Sequence, residues 1–210
     1  MYPLKLKLTI SVTVLTIATF ALTLQGQHRV NTTVLDFRSA DTSTAPHVVE
    51  ATAYLNQFGI TLSGITPGTQ INIINNSFLY EGTAVVPTHP PNLMSQGGSN
   101  DPVSFTLNFS TPITSFSVTR PELVPGPSGV THPMWKAHAF SERYAKGQEI
   151  GKAVGEDLIS SYVNVPPSTF TLSGRQMRSV RFDSENRHFA AFGAVLLGEL
   201  KFVSVTKTRL

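Results

Sequence analysis

Hydrophobic and polar positions alternate along much of this chain, most clearly over 103–110 (VSFTLNFS). Val103, Phe105, Leu107 and Phe109 fall on one side of an extended chain, and Ser104, Thr106, Asn108 and Ser110 on the other. A period of two predicts a strand with one packed face and one wet face. Ile60 and Leu62 alternate with Thr61 and Ser63 in the same way, and the run QINII over 70–74 predicts a strand stopped by Asn75-Asn76. Pro112 interrupts the register of the long alternation before Phe116 and Val118 resume it. WKAHAF over 135–140 reads as a strand, 141–147 as a polar turn and 148–154 as an antiparallel return. Phe170 and Leu172 begin another strand, Gly174 turns it, Val180 and Phe182 continue its packed face, and 183–186 (DSEN) form a turn. The unbroken apolar run FAAFGAVLL over 189–197 predicts a strand buried on both sides, and 200–205 closes the sheet.

Other stretches read as connections. The opening over 28–50 offers one short strand at Val34-Leu35-Asp36-Phe37 and then a Ser/Thr/Asp linker. VVEATAYLNQF over 48–58 predicts one helical turn, and 87–102 (PTHPPNLMSQGGSNDP) and 121–133 (PELVPGPSGVTHP) predict loops. Eight to ten strands in roughly 180 residues predict an all-β chain folded as a two-sheet antiparallel β-sandwich.

The first 27 residues differ in kind. Lys5 and Lys7 precede an uncharged run over 8–24 (LTISVTVLTIATFALTL), followed by Gln25-Gly26-Gln27. A basic head, an apolar middle and a polar end form the pattern of an export signal, or of an uncleaved anchor helix. The expected organisation is therefore 1–27 as signal or anchor, 28–50 as first strand and linker, 51–206 as the remainder of the sandwich and 207–210 as a tail. The protein is expected outside the cytosol: extracellular, at the cell surface or periplasmic.

Composition narrows the function. Charged residues are 14% of the chain and the net charge is +3. Subtracting Lys5 and Lys7 leaves +1, with no basic run, so nucleic acid is not an expected partner. There are no cysteines, which excludes disulfides and thiolate metal sites; an exported domain without disulfides is more typical of bacteria.

Several segments carry a resemblance. The V-L-D-F opening, YLNQFGITLSG, PITSFSV, WKAHAF, TLSGRQMRSVRFDSEN and the final AVLLGELKF together span 34–202. In these the chain resembles bacterial exported single jelly-roll domain proteins, including those with a PEP-CTERM sorting tail, and galactose-binding-like and carbohydrate-binding modules. The resemblance implies a jelly-roll sandwich and, as in related modules, a calcium ion tying the first strand to the last. Asp36, Asp41 and Glu199 are the residues it suggests as ligands. The chain ends Lys207-Thr208-Arg209-Leu210, without the apolar helix and basic run of a sorting tail.

Candidate chemistry is sparse. Sugar recognition needs aromatic faces beside polar donors. Trp135, Tyr144 and Tyr162 supply the first, and Arg178 and Arg181 the second, although Trp135 begins a strand whose alternation also suits a core residue. The six histidines are dispersed and no H-E-x-x-H occurs, against metal-dependent hydrolysis. There is no G-x-S-x-G elbow, and S-x-x-K occurs only at Ser204–Lys207 near the chain's end. The expected role is non-enzymatic recognition of extracellular carbohydrate or matrix. A structural surface protein without a small-molecule site, and a polysaccharide hydrolase using two of Glu142, Glu149, Glu156 and Asp157, are the alternatives. A membrane is expected as a partner only through an uncleaved N-terminal segment.

Overall fold

The computed structural model describes residues 28–37, 39–44, 48–75, 92–97, 102–125, 129–184 and 195–207. The expected signal or anchor at 1–27 and most of the apolar run at 189–197 lie outside these residues. The chain divides into two compact units, Met1–Arg29 with Thr206–Leu210, and Val30–Val205; the second is the body described below. Among the described residues no helix is long and apolar enough to cross a membrane.

The body is a β-sandwich. Its strands are β1 (His28–Leu35), β2 (Val48–Glu50), β3 (Ile60–Ser63), β4 (Thr69–Ile74), β5 (Asn92–Gly97), β6 (Val103–Arg120), β7 (Val130–His132), β8 (Trp135–Phe140), β9 (Val154–Glu156), β10 (Ile159–Ser161), β11 (Ser168–Ser184), β12 (Leu196–Leu197) and β13 (Glu199–Lys207). One sheet runs β1-β13-β6-β11-β8-β9, with β3 also on β6. A second runs β12-β5-β4-β2, and β7 pairs with β10 apart from both.

The packed half of the alternation in 103–109 is realised as read, but Thr106 and Asn108 on the expected wet face are buried too. Val103, Phe105, Leu107 and Phe109 are buried, and the last three join Ile71 and Ile73 of β4 and Leu197 of β12 in one core. Burying each of these large side chains contributes about 1.5–3 kcal/mol. Phe105 stacks on Phe182 with centroids 5.0 Å apart. A short helix, α1 (Ala51–Asn56), matches the expected helical turn and buries Ala51, Tyr54 and Leu55, the one face that helical spacing brings together.

Three expectations are corrected. The segment 92–97, expected as loop, is β5 and pairs with β4 from Asn92↔Ile74 to Gly97↔Thr69. The pairing to β4 overrides the Gly-, Asn- and Pro-rich surroundings. Pro112 falls within β6, and beyond it the buried positions pass from the odd series ending at Ile113 to Phe116 and Val118, the expected break in register. β3 pairs with β6 only as far as Phe109, and β13 joins it only from Ile113. Pro112 lies in the gap between these neighbours, where its missing N–H removes no rung of the ladder. Gly174 does not turn the chain, and Asp183 and Ser184 are not in a turn but at the end of β11, paired with Ser104 and Val103. β11 stays on β6 from Ser168↔Arg120 to Ser184↔Val103, with register shifts between Ser173, Met177 and Ser179 that absorb the irregularity as bulges.

Gly155 is fixed by close approach of the backbones of β8 and β9. A Cβ there would stand 2.1 Å from the Trp135 carbonyl oxygen. Only glycine lets β9 lie against the strand that carries Trp135.

Candidate functional site

The outward face of the larger sheet is where β3, β6, β11 and β8 set polar side chains in register. One row is Thr61, Asn108, Ser179 and Phe140, and the next is Ser63, Thr106, Arg181 and His138. A third holds Ser104, Asp183 and Lys136. Alternation predicts that such a face is wet, yet Asn108 and Ser179 are fully buried. The loop over 141–147 lies on them.

That loop is held by side chains of the sheet. The main-chain N–H of Tyr144 donates to Asn108 Oδ1, and that of Ala145 donates to Ser179 Oγ at 3.1 Å. Ser179 Oγ–H in turn donates to the Glu142 carbonyl at 2.6 Å. Asn108 Nδ2 donates to the Thr61 carbonyl at 3.1 Å and to Ser63 Oγ at 2.8 Å, so one buried amide ties the loop to β3. Each such bond is worth about 0.5–1.5 kcal/mol net, and an unmet buried partner costs more.

These bonds oppose strain. Tyr144 and Ala145 both have left-handed backbones, φ 66° and 53°. Neither residue is glycine, and each such conformation costs about 1–2 kcal/mol. The result is that Tyr144 stands 55% exposed above a polar sheet face. The Arg143 guanidinium lies 5.2 Å from the centre of the Tyr144 ring and donates from Nη2 to Thr61 Oγ1 at 2.8 Å.

Around the loop, basic side chains meet carboxylates. Arg181 Nη2 meets Asp183 at 2.8 Å, Lys136 meets Asp157 at 3.2 Å, and His138 Nδ1 meets Glu149 at 2.7 Å. The face thus offers hydroxyls, paired ions and one displayed aromatic ring.

A second polar cluster lies at the far end of β8. Arg120, 2% exposed, grips Glu156 through Nε and Nη2 at 3.1 Å, and Nη1 donates to the carbonyls of Pro121 and Val165. His132 Nδ1 stands 4.0 Å from Glu156 Oε2. Burial, with the nearby Arg120 charge, pushes the His132 pKa down to about 4, so the ring is neutral at neutral pH and this is no ion pair. Neither ring nitrogen of His132 has a hydrogen-bond partner among the described residues. The cluster closes the end of the sandwich. Glu156 is wholly engaged by Arg120, a structural use of one of the four acids named for hydrolysis.

Of the residues expected to bind sugar, Trp135 is placed in the core, fully buried against Phe170 and Phe182 at 5.0 and 5.8 Å. Its ring faces are covered by these aromatics, so the expected stacking role is corrected. Tyr144 and Tyr162 are both exposed, but Tyr144 follows the end of β8 whereas Tyr162 follows β10, whose partner β7 leads into the start of β8. A six-residue strand separates them by about 17 Å, so they belong to different surfaces. Arg181 shares the face and the strand side of Ser179, two residues along β11, and so flanks the Tyr144 loop. Arg178 lies at the bulge between Met177 and Ser179. Arg143, Asn108 and Ser179 were not expected at the site. Thr61-x-Ser63 and Thr106-x-Asn108 carried only the signal of a solvated strand face.

Among the described residues no three His, Asp or Glu side chains are grouped so as to hold a metal ion, and Asp36, Asp41 and Glu199 form no such set. Asp41 accepts from the Ser43 hydroxyl and amide at 2.6 and 3.2 Å, which holds its carboxyl below the usual range.

No family model matches this sequence, and no curated protein matches it. Among solved structures, a fragment of a putative chitobiase from Bacteroides thetaiotaomicron is 14% identical, covers 72% of this chain and 92% of its own, and gives a TM-score of 0.39. The CBM22-1 xylan-binding domain of Paenibacillus barcinonensis Xyn10C is 13% identical over 72% of this chain and 88% of its own, with a TM-score of 0.37. The family 32 module of C. perfringens NanJ, solved with galactose, is 13% identical over 69% and 92%, with a TM-score of 0.31. At such scores no property of those proteins is carried over to this chain.

Proposed function

We propose that this chain is an exported, non-enzymatic carbohydrate-recognition domain whose ligand sits on the outward sheet face beside Tyr144. The observation that carries this reading is the loop over 141–147. Two consecutive non-glycine residues hold left-handed backbones, and two buried side chains, Asn108 and Ser179, hold them there. Strain of this kind persists where the surrounding structure over-determines it, and it concentrates at ligand-binding positions. Its effect here is to display an aromatic ring next to hydroxyls and donors, the combination that pyranose recognition requires. The absence of a role for Trp135 leaves the reading intact, because Tyr144 supplies the exposed ring. Export rests on the apolar run after Lys5 and Lys7. Non-enzymatic action is supported by the engagement of Glu149, Glu156, Asp157 and Asp183 with cations or histidine.

A glycan array probed with the purified domain, with and without a chelator, tests the reading. Binding that Tyr144→Ala removes, with the circular dichroism spectrum unchanged, supports it. Binding that survives Tyr144→Ala, or a folded domain that binds no glycan, overturns it.

A further inference from the structure

Arg143 differs from the other basic side chains of this face. Arg181, Lys136 and His138 each have a carboxylate within 3.2 Å. The Arg143 guanidinium, among the described residues, has no carboxylate partner and one hydrogen-bond acceptor, Thr61 Oγ1. Its Nε is buried with no hydrogen-bond partner among the described residues, while the residue as a whole is half-buried. The cation has therefore lost part of its hydration without gaining a counter-charge. A half-buried guanidinium without a counter-charge remains available to an anion at its solvent-facing edge. The loop's other charges are Glu142 and Lys146. Glu142 packs against Gly147 and makes no ion pair with Arg143, and Lys146 adds a second positive charge.

A guanidinium lying over a tyrosine ring can still turn in-plane Nη hydrogens toward a planar anion and grip it with two parallel hydrogen bonds. Resting on the reading of this face as a glycan site, we propose that its ligand is a sugar acid. In this arrangement the exposed Tyr144 ring takes the apolar face of a uronic-acid-type residue and Arg143 takes its carboxylate. The hydroxyl row of Ser63 and Thr61 lies beside them, and the Arg181–Asp183 pair borders the site.

The probe is a panel holding each carboxylate-bearing oligosaccharide beside its carboxyl-reduced neutral counterpart, titrated calorimetrically into the full domain. Wild type is expected to favour the acid form by about tenfold or more at low salt, with the preference shrinking as salt rises. Arg143→Gln is expected to bring the acid-to-neutral ratio to about one, and Arg143→Lys, which keeps the charge and loses the fork, to leave a smaller preference. Equal binding of both forms by wild type, or a preference unchanged in Arg143→Gln, overturns the sugar-acid assignment while leaving the glycan site standing. Failure to bind any member of the panel overturns both.

Discussion

The amide N–H of Tyr144 donates to the side-chain carbonyl of Asn108, a residue of the central strand β6 with no exposed surface. A single buried amide thus joins the loop that displays the ring to the sheet beneath it. Replacing Asn108 with Ala leaves the Tyr144 N–H without its acceptor and the Thr61 carbonyl without its donor. The expected loss is about 2–3 kcal/mol in urea denaturation, with loss of glycan binding even where most molecules remain folded.

Tyr144→Gly separates stability from recognition. Glycine adopts the φ of 66° without a Cβ penalty, so the variant is expected to be as stable as wild type or about 1 kcal/mol more stable, while binding no glycan. A thermal melt and an array measurement on one preparation check both halves. A marked fall in melting temperature would show that the ring is needed for packing rather than for a ligand.

Trp135→Ala is expected to behave in the opposite way. It opens a cavity between Phe170 and Phe182 and costs about 3–5 kcal/mol, yet whatever fraction stays folded keeps its affinity. Affinity measured per folded molecule is the readout.

The pH dependence follows from His132. Its folded pKa, about 4, lies below the ordinary 6.5, so on acidification the unfolded chain takes up the proton first. The stability that the neutral ring contributes is therefore complete above pH 6.5 and declines as the pH falls toward 4. The full loss is about 3 kcal/mol. In denaturation midpoints from pH 7 to pH 4, wild type is expected to lose stability with acid and His132→Leu to show the flatter curve.

Glu156→Gln leaves the Arg120 guanidinium buried without its counter-charge, and is expected to cost about 3–5 kcal/mol by chemical denaturation. Glycan affinity per folded molecule should not move, since this cluster and the Tyr144 loop lie at opposite ends of β8.

Much of the fold was legible because burial writes a period of two into strands. Val103 to Phe109 announced β6, and the alternation of Trp135, Ala137 and Ala139 already placed the tryptophan inward. β5 was hidden because NLMSQG has no β-branched or aromatic residue and owes its conformation to β4. The break in register after Pro112 was legible, but why a proline is tolerated there was not, because that depends on where two neighbouring strands stop. Tyr144 was a legible candidate, but what makes it a site was not. Asn108 and Ser179 look like solvated strand residues until a loop more than thirty residues away in sequence is laid over Asn108. Arg120, His132 and Glu156 likewise meet only through the pairing of β8 with β9 and β7 with β10.

β6 and β11 remain partners for nearly their whole length, although the residues they join are far apart in the chain; Ser184 and Val103 are separated by 81 positions. Closing that span makes the topology rich in non-local contacts, which slows folding. Once formed, the part of the ribbon from Ser179 to Ser184 lies between β8 and β6, so its amides are expected to exchange with solvent mainly through global opening. The hydrogen-exchange rate of Phe182 thereby becomes a direct gauge of the whole sandwich, while the amides of the loop over 141–147 report only its local release.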